Sequence, residues 1–152
     1  MVKEAGRDIV ADSNSFMFED LILIASKHAK RIDKAMIGKS PLIIIDTDIH
    51  ITKSYSIFTF GRELEVDDQI YNSNKANLYL YLNNDVDYVQ DGTRLSETDR
   101  NLLDLSHREV LKHYNIDFIE IRGNWKKRFE NAVEQIERII NKKSSNSYDT
   151  VL

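Results

Sequence analysis

The chain has 152 residues, 41% of them hydrophobic and 30% charged, a size and balance typical of one soluble globular domain with a core of its own. A net charge of −4 gives no reason to expect nucleic acid or anionic membrane as a partner, and the lack of cysteine excludes disulfides, thiolate zinc sites and a cysteine nucleophile. No apolar run approaches the ~20 residues of a membrane span, and MVKEAGRDIV puts acids where a signal peptide needs a basic and then an apolar region; the expected location is the cytoplasm.

Residues 16–37 read as a helix. Leu21, Ile24, Ala25, His28, Ile32, Ala35 and Met36 recur at three-to-four spacing. Ser15 offers an N-cap, Glu19 and Asp20 occupy the first turns, and Lys27, Lys30, Arg31 and Lys34 follow, as the helix dipole prefers. Gly38 stops it. Residues 42–45, LIII, form an unbroken apolar run, the pattern of a strand buried on both faces of a parallel sheet. Residues 47–60 are expected to be helical up to Gly61, and 66–76 to form a weaker helix. LYLYL at 78–82 is the second strand. A polar loop, 83–95, holds Asp85, Asp87, Asp91, Gly92 and Arg94. Ser96 with Asp99 resembles a capping box, and the helix behind it runs to about Tyr114. The third strand spans 118–121. Gly123 and Asn124 follow, then a helix to about Lys142 through Phe129, Val133, Ile136 and Ile140. The domain is expected over 1–142, with 143–152 as a flexible tail.

Strands separated by helices imply an α/β fold, a parallel sheet flanked by helices. Ligands of such sheets bind beyond the carboxyl ends of the strands. Asp46-Thr47-Asp48, residues 83–94 and Gly123-Asn124 all follow strands, so they are expected on one rim.

Gly38-Lys39-Ser40 looks like the end of a phosphate loop. That loop needs GxxxxGK[ST] between a strand and a helix. Here Asp33 stands at the first glycine's position, a helix precedes, and Pro41 removes an amide and disfavours helix at Ser40. The segment reads as a helix stop. LIIIDTDIH carries more. An acid just past a buried strand can hold Mg²⁺ in phosphoryl-transfer enzymes, and a second acid can orient or deprotonate a hydroxyl. Asp46 and Asp48 take these roles, or one of them caps the next helix. Arg94, in the loop, and Arg100 behind it could neutralise charge on a transferred phosphoryl group, or form surface ion pairs. Glu4 and Arg7 by themselves read as surface charges. The four histidines have no metal-ligand spacing. Trp125 reads as a core aromatic. Tyr55, Phe58 and Phe60 could line a pocket for a base, although their helical spacing favours packing.

The order EAGRD, FEDL, IIIDTDI with T-x-x-Y soon after, LYLYLNNDVDYVQDGTR, and a strand ending in G-N-W-x-x-R resembles the ATPase/kinase domain of NadR-type proteins. That domain is the ribosylnicotinamide kinase half of an NAD-biosynthesis regulator. The resemblance runs from about Lys3 to Ile140. It implies a P-loop kinase-like fold using ATP and Mg²⁺, with a nucleotide and a small-molecule acceptor as partners. By it, Asp46 matches the metal-holding acid, Asp48 the second acid, Arg94 and Arg100 the basic positions of the lid, Gly123 and Asn124 the turn near the adenine, and Glu4 and Arg7 the acceptor side. Tyr55 joins the substrate set. In the family the first strand and phosphate loop come before the position of Met1, and no G-x-x-x-x-G-K-[ST] occurs in this chain. The resemblance therefore implies a chain lacking that strand and loop and inactive by itself. Such a chain would be a truncated product or a shortened reading of the gene, or would close the gap as a homodimer or by rearranging its sheet. Two further readings stand beside it. The strand followed by DTD resembles the first motif of haloacid-dehalogenase-like phosphatases, in which Asp46 would be the nucleophile and Mg²⁺ would neutralise phosphate; His50 replaces the Thr or Val expected there. The other is a non-catalytic nucleotide-binding or assembly module.

Overall fold

The computed structural model describes residues 1–3, 5, 16–38, 40–90 and 95–146. Two compact units emerge, Met1–Asn77 with Ser96–Ile116, and Leu78–Leu95 with Asp117–Leu152. The α/β class holds: helices alternate with extended segments, and every described strand pairing is parallel.

Among the described residues the first unit holds four helices, α1 (Phe18–Ile37), α2 (Ile49–Phe60), α3 (Asp68–Ser73) and α4 (Glu97–His113). The apolar stripe of α1 buries Leu21, Ile24, Ala25, His28, Ala29 and Ile32. Leu21, Ile24 and Ala25 form one core with Ala5, Ile49 and Leu64, and Phe16, Phe18, Phe60, Val66, Ile70 and Tyr71 pack against it. The stripe runs out at the helix end, where Met36 and Ile37 are exposed. The expected cap, Ser15, lies outside the described residues. The N-cap is Met17, whose backbone N–H donates to the Asp20 carboxylate at 2.8 Å.

Residues 42–45 depart from the expectation of a strand buried on both faces. They pair through one parallel bridge, Val2 to Ile45. The Val2 N–H donates to the Ile44 carbonyl at 2.7 Å and the Asp46 N–H to the Val2 carbonyl at 2.9 Å. Leu42 and Ile44 are 42% and 50% exposed, because among the described residues nothing covers the face they share. The following helix also starts later than expected. Thr47 takes a left-handed φ of 62°, which no helix continues, and Asp48 is the N-cap of α2. Gly61, at φ 67°, closes α2 in the left-handed conformation that glycine adopts without cost. The weak helix shortens to α3, capped by Asp67 on the Ile70 N–H at 2.8 Å. Ser96 caps α4 as its box-like sequence predicts, accepting from the Asp99 N–H and donating to its carboxylate.

The second unit holds β1 (Leu80–Leu82), β2 (Ile119–Ile121) and α5 (Trp125–Asn146). The strands pair in parallel, Leu80 with Ile119, Tyr81 with Glu120 and Leu82 with Ile121. Ile121, at the end of β2, is buried. The helix continues past the expected Lys142 to Asn146. Trp125 is not the core aromatic its sequence suggests. It is 71% exposed, as is Phe129, and the buried side chain of that first turn is Arg128, 4% exposed. Among the described residues no helix is long and apolar enough to cross a membrane.

Candidate functional site

The turn Asp46-Thr47-Asp48 joins the extended segment to α2, and its two acids face different environments. Asp46 is exposed at the carboxyl end of residues 42–45, with its backbone tied to Val2. Asp48 is buried. One of its oxygens accepts from the backbone N–H of His50 at 3.0 Å and of Ile51 at 3.2 Å. The other lies 2.6 Å from His50 Nδ1. Three donors thus hold one carboxylate, the arrangement of a helix cap that also fixes a histidine. Asp48 is positioned firmly, with little left to offer a substrate hydroxyl.

The network continues inward from His50, which is fully buried. Its Nε2 lies 3.1 Å from the Tyr71 hydroxyl, so the pairing with Asp48 fits the tautomer protonated at Nδ1, with Tyr71 donating to Nε2. The Tyr114 ring lies beside both, 5.2 Å from the His50 ring and 6.0 Å from that of Tyr71. The Tyr114 hydroxyl donates to Glu63, which also takes Lys53 Nζ at 2.9 Å. Burial alone would lower the Lys53 pKa, but its hydrogen bonds to Glu63 and Tyr114 outweigh it and the value is raised. Glu63 is lowered by the Tyr114 hydroxyl and then by Lys53. One turn further along α2, Ser54 meets the Ser106 hydroxyl and His107 Nδ1, each at 2.8 Å. Burial lowers the pKa of His107 to about 4. These polar groups on α2 are buried and paired, which explains why this helix shows no simple apolar stripe in the sequence.

Tyr55 is 38% exposed, with its ring edge-on to His107 at 5.3 Å. Arg100 lies in the first turn of α4, half-buried, its backbone N–H donating to the Ser96 carbonyl. Glu4, Arg7 and Arg94 lie outside the described residues.

Within the second unit the loop after β1 and the turn after β2 do meet. The Gly123 N–H donates to Asp85 at 2.9 Å, from a backbone at φ 92° that glycine tolerates. Asn124 caps α5, its side-chain oxygen accepting from the Lys127 N–H at 3.0 Å. Arg128 clasps both strand ends: its guanidinium donates to the Gly123 and Asn83 carbonyls at 2.6 Å each, and to the Asp85 carboxylate. The Gly123 amide, and then the Arg128 charge, hold Asp85 below the usual carboxylate range. Arg128 is the final residue of G-N-W-x-x-R, so the motif contained it, but only the structure gives it a job. Tyr71 and Tyr114 left no signal, because their hydrogen-bond partners come from distant parts of the chain.

Among the described residues no group of three His, Cys, Asp or Glu side chains could hold a metal ion. Mg²⁺ does not require one, since it keeps several waters and takes one or two carboxylates with substrate phosphates. A single exposed Asp46 at a strand end fits that demand.

A family model described as an AAA domain matches residues 1–128. The trifunctional NAD biosynthesis/regulator protein NadR of Salmonella typhimurium is 29% identical over 145 residues, which is 90% of this chain and 35% of that protein. Its namesake from Escherichia coli is 28% identical over 145 residues, with the same coverage of 90% and 35%. The chain thus spans about a third of the length of the curated relatives it matches.

Proposed function

We propose that this chain, which belongs to the AAA domain family and resembles the NadR type within it, is the metal- and acceptor-side part of an ATP-dependent small-molecule kinase. The observation that carries this is the Asp46 turn, an exposed acid at the end of an extended segment, on a turn held rigid by the buried Asp48–His50–Tyr71 chain. The acceptor class, by resemblance, is ribosylnicotinamide or a similar nucleoside, and the setting NAD metabolism in the cytoplasm.

In this reading Asp46 holds Mg²⁺ through an oxygen or a bound water, and the ion, when bound, offsets charge on the phosphates. Asp48 keeps the turn in place, and the His50 and Tyr71 hydrogen bonds keep Asp48 in place. Arg94 and Arg100 neutralise charge on the transferred group. Gly123 and Asn124 form the adenine-side turn, with Arg128 and Asp85 fixing its backbone. Glu4, Arg7 and Tyr55 contact the acceptor. The chain contains no G-x-x-x-x-G-K-[ST], so none of its 152 residues supplies the amide cradle and lysine that grip phosphates. It is therefore inactive by itself, and the cradle must come from another segment. That same lack favours a second reading, a module that binds without turnover. The phosphatase reading loses support from Asp48, which is buried and spent on three donors rather than poised as an acid.

Calorimetry with ATP·Mg²⁺, on this chain and on a form joined to a phosphate loop, tests the proposal. Phosphoryl transfer to a nucleoside by the joined form, lost in Asp46→Asn, supports the kinase. Tight binding without turnover supports the module.

A further inference from the structure

Two serines and a histidine join α2 to α4, and none of them takes part in the kinase reading. Ser54 on α2 is fully buried. Its hydroxyl meets the Ser106 hydroxyl and His107 Nδ1 of α4, each at 2.8 Å. The Ser106 hydroxyl also donates to the Ser54 backbone carbonyl at 3.4 Å. Either neutral tautomer of His107 completes this set: with a proton on Nδ1 the ring donates to Ser54, and without it the ring accepts. Turning the imidazole away would leave a buried hydroxyl short of one partner, so the ring is held in one orientation.

Tyr55 follows Ser54 on the same helix, and the held imidazole stands against its ring, with centroids 5.3 Å apart and planes at 61°. That is the edge-to-face arrangement aromatic pairs prefer. Tyr55 is nonetheless 38% exposed, so part of the ring is fixed by the protein and part is open. A tyrosine on a helix turns about two χ angles, and His107 restricts them before anything binds. Stacking on a ring already ordered costs less entropy than stacking on a free one. The imidazole adds no charge there. Burial lowers its pKa to about 4, so at pH 7 it is neutral and does not repel a flat cationic ring, which the face of a tyrosine attracts.

We propose that His107, locked by Ser54 and Ser106, is a positioning residue that holds Tyr55 as a stacking platform for the aromatic ring of the acceptor. The inference rests on the kinase reading, in which Tyr55 contacts the acceptor. It adds a residue of α4 that acts through Tyr55 without touching the ligand.

Aromatic ¹H–¹³C spectra of the full chain test this, beside calorimetry with nicotinamide riboside. The Tyr55 and Tyr71 signals are assigned by their loss in Tyr55→Leu and Tyr71→Phe. In the parent chain the riboside is expected to shift the Tyr55 signals, and Tyr55→Leu to weaken its binding. His107→Gln keeps a side-chain amide for Ser54 and removes the ring. It should move the Tyr55 signals towards those of a freely turning tyrosine and leave those of Tyr71 in place. It should also weaken the riboside roughly fivefold, the worth of about one edge-to-face contact. Ser54→Ala, which releases the imidazole without removing it, should move Tyr55 in the same direction by less. Any of three results in His107→Gln overturns the proposal: unmoved Tyr55 signals, an unchanged affinity, or a Tyr71 shift as large as that of Tyr55, which marks general loosening. The kinase reading then stands as long as the riboside still depends on Tyr55. A riboside that does not bind, or whose affinity Tyr55→Leu leaves unchanged, removes Tyr55 from the acceptor side of the kinase reading and this proposal with it.

Discussion

The two units solve the burial of polar groups in different ways. In the first, polar side chains run through the interior as connected chains, from Asp48 through His50 to Tyr71, and from Lys53 through Glu63 to Tyr114. Several helices contribute, and the site turn is one end of the network. In the second, one buried guanidinium serves two strand ends, and the described strands are two, of three residues each. The first unit distributes its polar satisfaction, so losing one bond should cost a local share. The second concentrates it in Arg128, so losing that side chain should release the strand ends together.

The largest expected effect follows from that concentration. Arg128→Ala strands the buried Asn83 carbonyl and the part-buried Gly123 carbonyl, a loss of about 3 kcal/mol. Hydrogen exchange should show the Asn83 and Ile119 amides, which close the ends of the β1–β2 ladder, losing protection while those of α2 keep theirs. Loss spread equally over both units would break the comparison.

Acid should separate the units in the opposite sense. His107 has a folded pKa of about 4 against an ordinary 6.5. Its neutral burial costs nothing above pH 6.5. As pH falls from there towards 4, the unfolded chain takes up a proton that the folded one refuses, and stability drops by about 3 kcal/mol. His28 is lowered by the same cause and adds in the same direction. Asp85 is also lowered, so its contribution is present above the unfolded carboxylate pKa and is lost only at more acid pH. Denaturant unfolding at pH 7 and at pH 4.5 measures the first unit's loss, and His107→Gln should remove most of it.

A single bond inside the distributed network should matter less. Tyr71→Phe removes the hydroxyl at His50 Nε2 and is expected to cost about 1 kcal/mol, read from the unfolding midpoint. The smallest effect on folding belongs to Asp46→Asn. This side chain is exposed, so thermal unfolding should be unchanged, whereas metal-dependent nucleotide binding by a loop-bearing form should be lost.

Local chemistry was the legible part of the sequence. The α1 stripe, the Ser96–Asp99 start of α4, the Gly61 stop and the parallel strands, expected at 78–82 and 118–121 and found shorter at 80–82 and 119–121, follow from periodicity, caps and apolar runs. The pair Asp46 and Asp48 was also visible, but their division into an exposed acid and a capping acid was not. That division depends on the left-handed Thr47, a conformation no β-branched residue announces. Residues 42–45 misled in another way: an all-apolar run reports a tendency to be covered, not the presence of a cover. Arg128 was hidden because the sequence pattern marks charges as solvent-facing, and the bonds of Arg128 to Asn83 and of His50 to Tyr71 were hidden because those partners lie 45 and 21 positions away.

The central claim is that the Asp46 turn serves a nucleotide whose phosphates are gripped from outside this chain. ATP·Mg²⁺ calorimetry on the 152-residue chain, beside the same chain extended by any phosphate loop its gene encodes upstream, addresses it directly. The account predicts binding by the extended form alone, lost when Asp46 becomes asparagine. Binding by the chain as it stands, or none by either form, would contradict it.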